Sequence, residues 1–162
     1  MSDNKIRVGI NGYGVIGKRV ADAVRLQPDM ELVGVSDVIS DFRVDMAVER
    51  GMPVYASVAD KREAMENAGI PVAGLLDELL EQVDVIVDCT PKGIGAKNLK
   101  TYRDRGVKAI VQGGEKHEAT GHSFVAQANY QSALGLEATR VVSCNTTSTV
   151  RTLGALDNAG LL

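Results

Sequence analysis

The stretch that decides the fold is Gly12-Tyr13-Gly14-Val15-Ile16-Gly17, a G-x-G-x-x-G motif between two different hydrophobic patterns. A short apolar run at residues 6–10, typical of a buried strand, precedes it. An amphipathic segment with helical spacing, residues 15–26, begins inside it. A second apolar run at residues 32–35 leads to Asp37, twenty residues after Gly17. This order of strand, glycine turn, helix, strand and acid predicts the dinucleotide-binding unit of a Rossmann-type domain.

Each glycine of the motif has its own expected role in binding a pyrophosphate. Gly12 permits a tight turn, Gly14 carries no side chain that would block the phosphates, and Gly17 lets helix and strand pack closely. The N–H groups of the first helical turn lack intrahelical acceptors, and the helix dipole favours an anion there. The cofactor-binding residues expected in this region are Asn11, Gly12, Gly14, Val15, Ile16 and Gly17. A glycine-rich turn without a ligand is the alternative.

Asp37 bears on which dinucleotide is bound. A carboxylate at the end of the second strand accepts hydrogen bonds from a ribose 2′-hydroxyl and repels a 2′-phosphate, which favours NAD over NADP. Two observations leave the choice open: Asp37 could simply cap the following turn, and Arg43 is near enough in sequence to meet a 2′-phosphate if the loop folds back.

Apolar runs alternate with amphipathic segments along nearly the whole chain. Further strands are predicted at 54–56, 83–87, 108–111 and 139–143, and further helices at 44–49, 61–68, 75–80, 94–105 and 145–159. Residues 72–74 are interpreted as a connector, residues 131–134 as at most one turn, and residues 115–123 as a loop. The alternation predicts an α/β fold: a doubly wound, mostly parallel sheet with helices on both faces.

Composition excludes several classes of protein. The chain has 162 residues, of which 44% are hydrophobic and 24% charged, with a net charge of −3. No cluster of Lys and Arg suits nucleic acid or an anionic membrane surface, and no apolar run of about 18 residues predicts a membrane span. The N-terminal residues lack a signal-peptide pattern, so a cytoplasmic location is the default expectation. Cys89 and Cys144 do not suggest a disulfide framework, and no metal site is expected.

Two further loops are expected at the cofactor edge of the sheet. Thr90-Pro91 follows the strand predicted at 83–87, and Gly113-Gly114 follows the next one. Strand ends at this edge of a Rossmann sheet meet the adenosine, although ordinary turn chemistry would explain both pairs equally well. Cys89, at the end of an apolar strand, is interpreted as a buried, inert thiol.

Cys144 lies between a predicted strand and a predicted helix. At a helix N-terminus the dipole and free N–H donors favour the thiolate, which attacks carbonyl carbon well. Thr146 and Thr147 can cap the helix and offer donors to an anion. On spacing alone, a structural cysteine remains an equal alternative.

Two motifs together, Ile10-Asn11-Gly12-Tyr13-Gly14-Val15-Ile16-Gly17-Lys18-Arg19 and Ser143-Cys144-Asn145-Thr146-Thr147, resemble the archaeal type (type II) of phosphorylating glyceraldehyde-3-phosphate dehydrogenase. Gln112-Gly113-Gly114-Glu115-Lys116 is similar to the same family, and the resemblance covers essentially the whole chain. It implies a homotetrameric enzyme of glycolysis or gluconeogenesis, about twice this length. That enzyme converts D-glyceraldehyde 3-phosphate and inorganic phosphate to 1,3-bisphosphoglycerate with NAD(P).

The resemblance also implies roles for individual residues. Cys144 would form the hemithioacetal and then the acyl-enzyme, with Ser143, Asn145, Thr146 and Thr147 in the substrate site. Val15, Ile16 and Gly113 or Gly114 would touch the dinucleotide. The implied organisation is a dinucleotide-binding domain over residues 1–143, with residues 144–162 forming the nucleophile turn and the first helix of the catalytic domain.

Three departures from the family matter. Ser36-Asp37-Val38 replaces a Lys-containing stretch suited to NADP, and Ser148 stands where glycine is common. The family's base is a histidine in the second half of the protein, whereas this chain has only His117 and His122, which are interpreted as solvent-facing loop residues. The chain alone is therefore expected to be inactive.

Two other functions remain open. The chain could be a stand-alone dinucleotide-binding module without catalysis. It could also be part of a semialdehyde dehydrogenase that acts through a cysteine, which the Asn-Gly-Tyr-Gly and Ser-Cys-Asn-Thr-Thr runs speak against.

Overall fold

The computed structural model describes residues 5–162, and its strands form where the apolar runs lie. The strands are β1 Ile6–Asn11, β2 Met30–Asp37, β3 Val54–Ala56, β4 Val72–Leu75, β5 Val85–Asp88, β6 Lys108–Val111, β7 Ser123–Phe124 and β8 Ala138–Val141. The helices are α1 Val15–Arg25, α2 Phe42–Glu49, α3 Ala59–Asn67, α4 Leu76–Leu80, α5 Ile94–Asp104, α6 His117–Thr120, α7 Ala126–Ala133 and α8 Cys144–Asn158.

Within residues 5–162 the strands form one sheet in the order β4-β3-β2-β1-β5-β6-β8-β7, and every pairing is parallel. The chain builds outward from β1 to β4 and then returns to β5 on the other side of β1. Asn11 at the end of β1 is in register with both Ser36 of β2 and Asp88 of β5. The carboxyl ends of these three strands are therefore level at the point where the strand order reverses, which is where doubly wound sheets bind ligands.

Two hydrophobic cores cover the two faces of the sheet. Ile86 and Val87 are both buried but belong to different cores, because adjacent residues of a strand point to opposite faces. Ala21 of α1 is buried in the first core, and Leu79 of α4 and Leu99 of α5 in the second. The predicted fold, a doubly wound parallel sheet covered on both faces, is confirmed. Among the described helices none is both long and apolar enough to cross a bilayer.

Three local predictions were wrong. Residues 72–74 are not a connector but belong to β4, whose pairing with β3 decides the conformation of a run too short to be recognised by pattern. The helix α7 begins at Ala126 and kinks at Asn129 instead of forming one turn at 131–134, and it buries no side chain that would give a periodic signal. The stretch 115–123 contains the short helix α6.

Candidate functional site

The glycine motif forms the turn between β1 and α1. Gly12 has a φ of 91°, and a Cβ there would lie 2.8 Å from the Thr90 nitrogen. A Cβ on Gly17 would lie 2.0 Å from the Gly12 carbonyl oxygen, so only glycine fits this contact between helix and strand. Gly14, the N-cap of α1, faces open space, with no atom within 4 Å of an added Cβ. The turn is therefore closed where the protein packs on itself and open where a pyrophosphate would lie against the helix N-terminus.

A cavity of about 520 Å³, here called the Asp37 cavity, opens beside Gly14 at the carboxyl ends of β1, β2 and β5. Its polar wall includes Asp37, Arg43 and Thr90. Its apolar wall consists of branched side chains suited to the face of a flat ring: Val38, Ile39, Val58, Leu76 and Ile94. Asn11, Gly12 and Pro91 also line it, so residues predicted from separate loops meet in one cavity.

Asp37 clamps the glycine turn and also caps the turn that follows β2. Its Oδ2 accepts a hydrogen bond from the Tyr13 backbone nitrogen at 2.6 Å, and its Oδ1 accepts from the nitrogens of Val38 at 2.7 Å and Ile39 at 3.3 Å. The capping role considered from sequence is therefore real, yet the carboxylate still lies on the cavity wall, half-buried. Contact with a ribose stays a prediction.

A buried polar network under the Asp37 cavity was missed by the sequence reasoning. The Asp88 carboxylate, fully buried, accepts hydrogen bonds from the Thr90 nitrogen at 2.9 Å, from Asn98 at 2.9 Å and from the Tyr102 hydroxyl at 2.6 Å. The Tyr102 hydroxyl in turn accepts from the Asn11 amide at 2.8 Å. Burial, followed by the charge of Asp88, raises the pKa of Tyr102. A carboxylate that closes an apolar strand needs such donors, and this was the available signal.

The two loops predicted at this edge pack directly on each other. A Cβ on Gly113 would lie 2.1 Å from the Thr90 carbonyl oxygen, so packing alone requires glycine there. Gly114 has a φ of 83° and faces open space. Glu115, buried beside them, accepts a hydrogen bond from the Gly93 nitrogen at 2.7 Å. The structure thus explains Gly113 without a ligand, and cofactor contact by Gly113 or Gly114 remains a prediction.

Cys144 is the first residue of α8, and its side chain is exposed. Ser143 is the N-cap, with its hydroxyl accepting from the Thr146 nitrogen at 3.2 Å. The prediction that Thr146 and Thr147 cap this helix was therefore wrong, because both residues lie inside its first turn and the residue before the helix, Ser143, supplies the capping oxygen. The Cys144 Sγ lies 3.8 Å from the Asn145 Oδ1. None of the α8 side chains is buried, although the helix contacts α7.

A second cavity, of about 950 Å³ and here called the Cys144 cavity, extends from the Cys144 thiol to the glycine turn. Ile16 of the glycine motif, Gln112 after β6 and Cys144 all line it. Ser143, Thr147 and Ser148 contribute hydroxyls, whereas Asn145 and Thr146 are not among the lining residues. Arg151 also lines the cavity. Sequence reasoning missed it, although it lies two helical turns after Cys144 and hence on the same face.

The remaining titratable candidates do not line the Cys144 cavity, although Cys89 lines the Asp37 cavity. His122 lies in the loop before β7, as expected, but it is half-buried, with Nδ1 2.7 Å from the Thr139 hydroxyl and Nε2 2.9 Å from the Ser132 hydroxyl, so the expectation that it faces solvent was wrong. His117 is exposed, as expected, but lies on α6. Cys89 is half-buried, and burial raises the pKa of its thiol to about 12, in agreement with an inert thiol.

These features, a glycine turn and an acid at the switch point of a parallel sheet, define a Rossmann-type nucleotide-binding domain. The protein-family model described as "Dihydrodipicolinate reductase, N-terminus" matches residues 6–145, and the chain belongs to that domain family. By sequence, the chain is similar to the N-terminal half of archaeal-type glyceraldehyde-3-phosphate dehydrogenases, which confirms the resemblance.

Two sequence relatives identify the enzyme family that the chain resembles. The chain is 54% identical over 153 residues to a glyceraldehyde-3-phosphate dehydrogenase of Methanothermobacter thermautotrophicus and 60% identical over 152 residues to that of Thermococcus kodakarensis. Each match covers 94% of this chain and 45% or 46% of the relative. The chain therefore spans about half the length of the curated relatives it matches.

Solved structures support the fold alone. An apo scyllo-inositol dehydrogenase from Lactobacillus casei matches with a TM-score of 0.54 at 17% identity, covering 86% of this chain and 37% of the other. GenD2 from gentamicin A biosynthesis, in complex with NAD, matches with a TM-score of 0.52 at 21% identity, covering 67% of this chain and 27% of the other.

Proposed function

We propose that the chain is the dinucleotide-binding half of an NAD(P)-dependent, phosphorylating glyceraldehyde-3-phosphate dehydrogenase and also supplies its nucleophile, Cys144. The observation that carries the proposal is the Cys144 cavity, where Ile16 of the glycine motif and the exposed thiol line one space. The names of the relatives support the reaction. The substrates would be D-glyceraldehyde 3-phosphate and inorganic phosphate, and the full-length protein would be a homotetramer.

The shape of the cofactor turn fits an extended dinucleotide. The adenosine would lie in the Asp37 cavity between its apolar wall and the carboxylate, and the pyrophosphate would lie over Gly14 against the first turn of α1. Val15 and Ile16, apolar but 62% and 47% exposed, begin that helix beside the path. The nicotinamide would then reach the Cys144 cavity past Ile16.

The residues around Cys144 fit attack on a phosphorylated aldehyde. The thiolate would add to the aldehyde carbon, and free N–H groups of the first α8 turn would stabilise the developing oxyanion. Arg151 brings a cation and Thr147 and Ser148 bring hydroxyls for an anionic substrate. The bound nicotinamide would supply the two-electron oxidation of the hemithioacetal. Phosphate attack on the resulting thioester would release the acyl phosphate and regenerate the Cys144 thiolate.

The domain boundary proposed at residue 144 follows the resemblance to the family. Helices α1 to α5 bury side chains against the sheet, whereas α6, α7 and α8 bury none. In the proposal, residues 1–143 would form the dinucleotide-binding domain, and the exposed helix α8 would pack against the other half of the full-length enzyme.

We expect the chain to bind NAD more tightly than NADP, by about tenfold or more, because a 2′-phosphate would meet the Asp37 carboxylate. Calorimetric titrations of the chain with each dinucleotide, at the same low salt concentration, measure the ratio. Tighter binding of NADP would show that Asp37 does not contact the ribose. Failure of both to bind at millimolar concentration would contradict the proposed function.

A further inference from the structure

The Asp37 cavity contains a cation that is already paired. Arg43 lines the cavity, but its guanidinium folds back onto Asp41. The Arg43 Nε lies 3.0 Å from both Asp41 carboxylate oxygens, and Nη2 also bonds to Oδ2. The pair is partly exposed, with 35% of the Arg43 side chain and 38% of the Asp41 side chain accessible to solvent.

Asp41 is well placed to hold this arrangement because it is also the N-cap of α2. Its Oδ1 accepts from the Arg43 backbone nitrogen at 3.0 Å, so one carboxylate fixes both the backbone and the side chain of residue 43. The hydrogen bond from the Arg43 side chain lowers the pKa of the Asp41 carboxyl, and both partners are charged at neutral pH. Asp37 and Arg43 line this end of the cavity, Asp41 lies behind Arg43, and the charge of Lys18 also acts on Asp41.

A 2′-phosphate on a ribose held at Asp37 would need a free cation at this position. Arginine is well suited to phosphate because its planar N–H donors bind two oxygens at once. In this chain the Nε and Nη2 donors of Arg43 are directed at Asp41. A ribose with a free 2′-hydroxyl, as in NAD, would not need a contact with the Arg43 guanidinium.

We infer that Asp41 is a specificity-determining positioning residue, which keeps Arg43 engaged and so works with Asp37 against NADP. The inference rests on the proposed function, since it requires a dinucleotide ribose at Asp37. It assigns selectivity to a residue that need not touch the cofactor itself. Loss of the Asp41 charge would release the guanidinium toward the 2′ position.

The test is the variant Asp41→Asn, which keeps a good N-cap for α2 while removing the charge that holds Arg43. We expect its affinity for NADP to rise about tenfold and its affinity for NAD to stay within about twofold of wild type. The gain should shrink between low and high salt, because it depends on an exposed charge. If Asp41→Asn folds poorly, Asp41→Ser, which also keeps a good N-cap, should show the same gain in NADP affinity.

The matched control is the double variant Asp41→Asn/Arg43→Gln, in which the gain for NADP should disappear. A gain that survives in the double variant would overturn the inference, since Arg43 would not be its source. Unchanged NADP affinity in Asp41→Asn, with NAD still bound, would overturn it as well and leave the proposed function intact. Failure of the wild type to bind either dinucleotide would overturn both.

Discussion

Replacement of Gly14 by valine is expected to weaken NAD(H) binding at least about a hundredfold, equivalent to about 2.7 kcal/mol. The expectation comes from the shape of the turn. Gly14 has an extended backbone with a negative φ, φ of −76° and ψ of −159°, so its conformation does not require glycine as a positive φ would. Apart from its chain neighbours, no atom of residues 5–162 lies within 4 Å of an added Cβ, so the new side chain is expected to cost the fold little and to fill the space proposed for the pyrophosphate.

The chain offers a matched control for this variant. Gly154, in α8, also faces open space and also has no positive φ, but it lies outside both cavities. Gly154→Val should therefore bind NAD as the wild type does. Calorimetry on the three proteins, with thermal unfolding to verify folding, makes the comparison. Equal affinity in Gly14→Val and wild type would mean that the pyrophosphate lies elsewhere.

The 162-residue chain alone is expected to oxidise glyceraldehyde 3-phosphate far more slowly than about 1 per second, the low end of ordinary enzyme rates. A positioned base typically contributes about 10²–10⁴-fold to such a step. No histidine among residues 5–162 lines the Cys144 cavity, and both ring nitrogens of His122 lie within hydrogen-bonding distance of hydroxyls. Looser positioning of the substrate, without the half that the relatives possess, can cost about 10²-fold more.

A phosphate-dependent assay of NADH formation measures this expectation. The wild-type chain and a Cys144→Ala variant should give equal, background rates. Turnover of about 1 per second that depends on Cys144 would show that a base lies within these residues. His117→Asn and His122→Asn would then identify it, since asparagine cannot accept the proton.

The glycine turn was predictable because the conformation of Gly12 and the packing of Gly17 depend on residues close in sequence. Gly12 needs a positive φ and Gly17 a close contact, and both follow from the motif once a strand precedes it and a helix follows. The parallel sheet followed from the alternation of apolar runs with amphipathic segments. The position of Cys144 between a strand and a helix could be predicted from the same alternation.

The missed features depend on contacts between residues that are distant in sequence. β4 is four residues long and is fixed by its pairing with β3. The hydrogen bond from Asn11 to Tyr102 joins residues ninety-one positions apart, so no local sequence pattern predicts it. The orientation of His122 depends on Thr139 and Ser132, which come from a strand and a helix that pack beside it. Local rules cannot choose such partners, because only the assembled sheet brings them together.

The rate of Cys144 alkylation tests most directly whether the glycine turn and the Cys144 thiol form one site. Iodoacetate labelling near neutral pH, followed by mass spectrometry with and without NAD, reports each cysteine separately. Cys89, whose pKa burial raises to about 12, serves as the internal control and should stay unlabelled. We predict that Cys144 reacts readily, that NAD changes its rate with a half-maximal effect at the calorimetric Kd, and that Gly14→Val abolishes this dependence. A Cys144 rate that is unaffected by saturating NAD, while calorimetry shows NAD bound, would contradict the account.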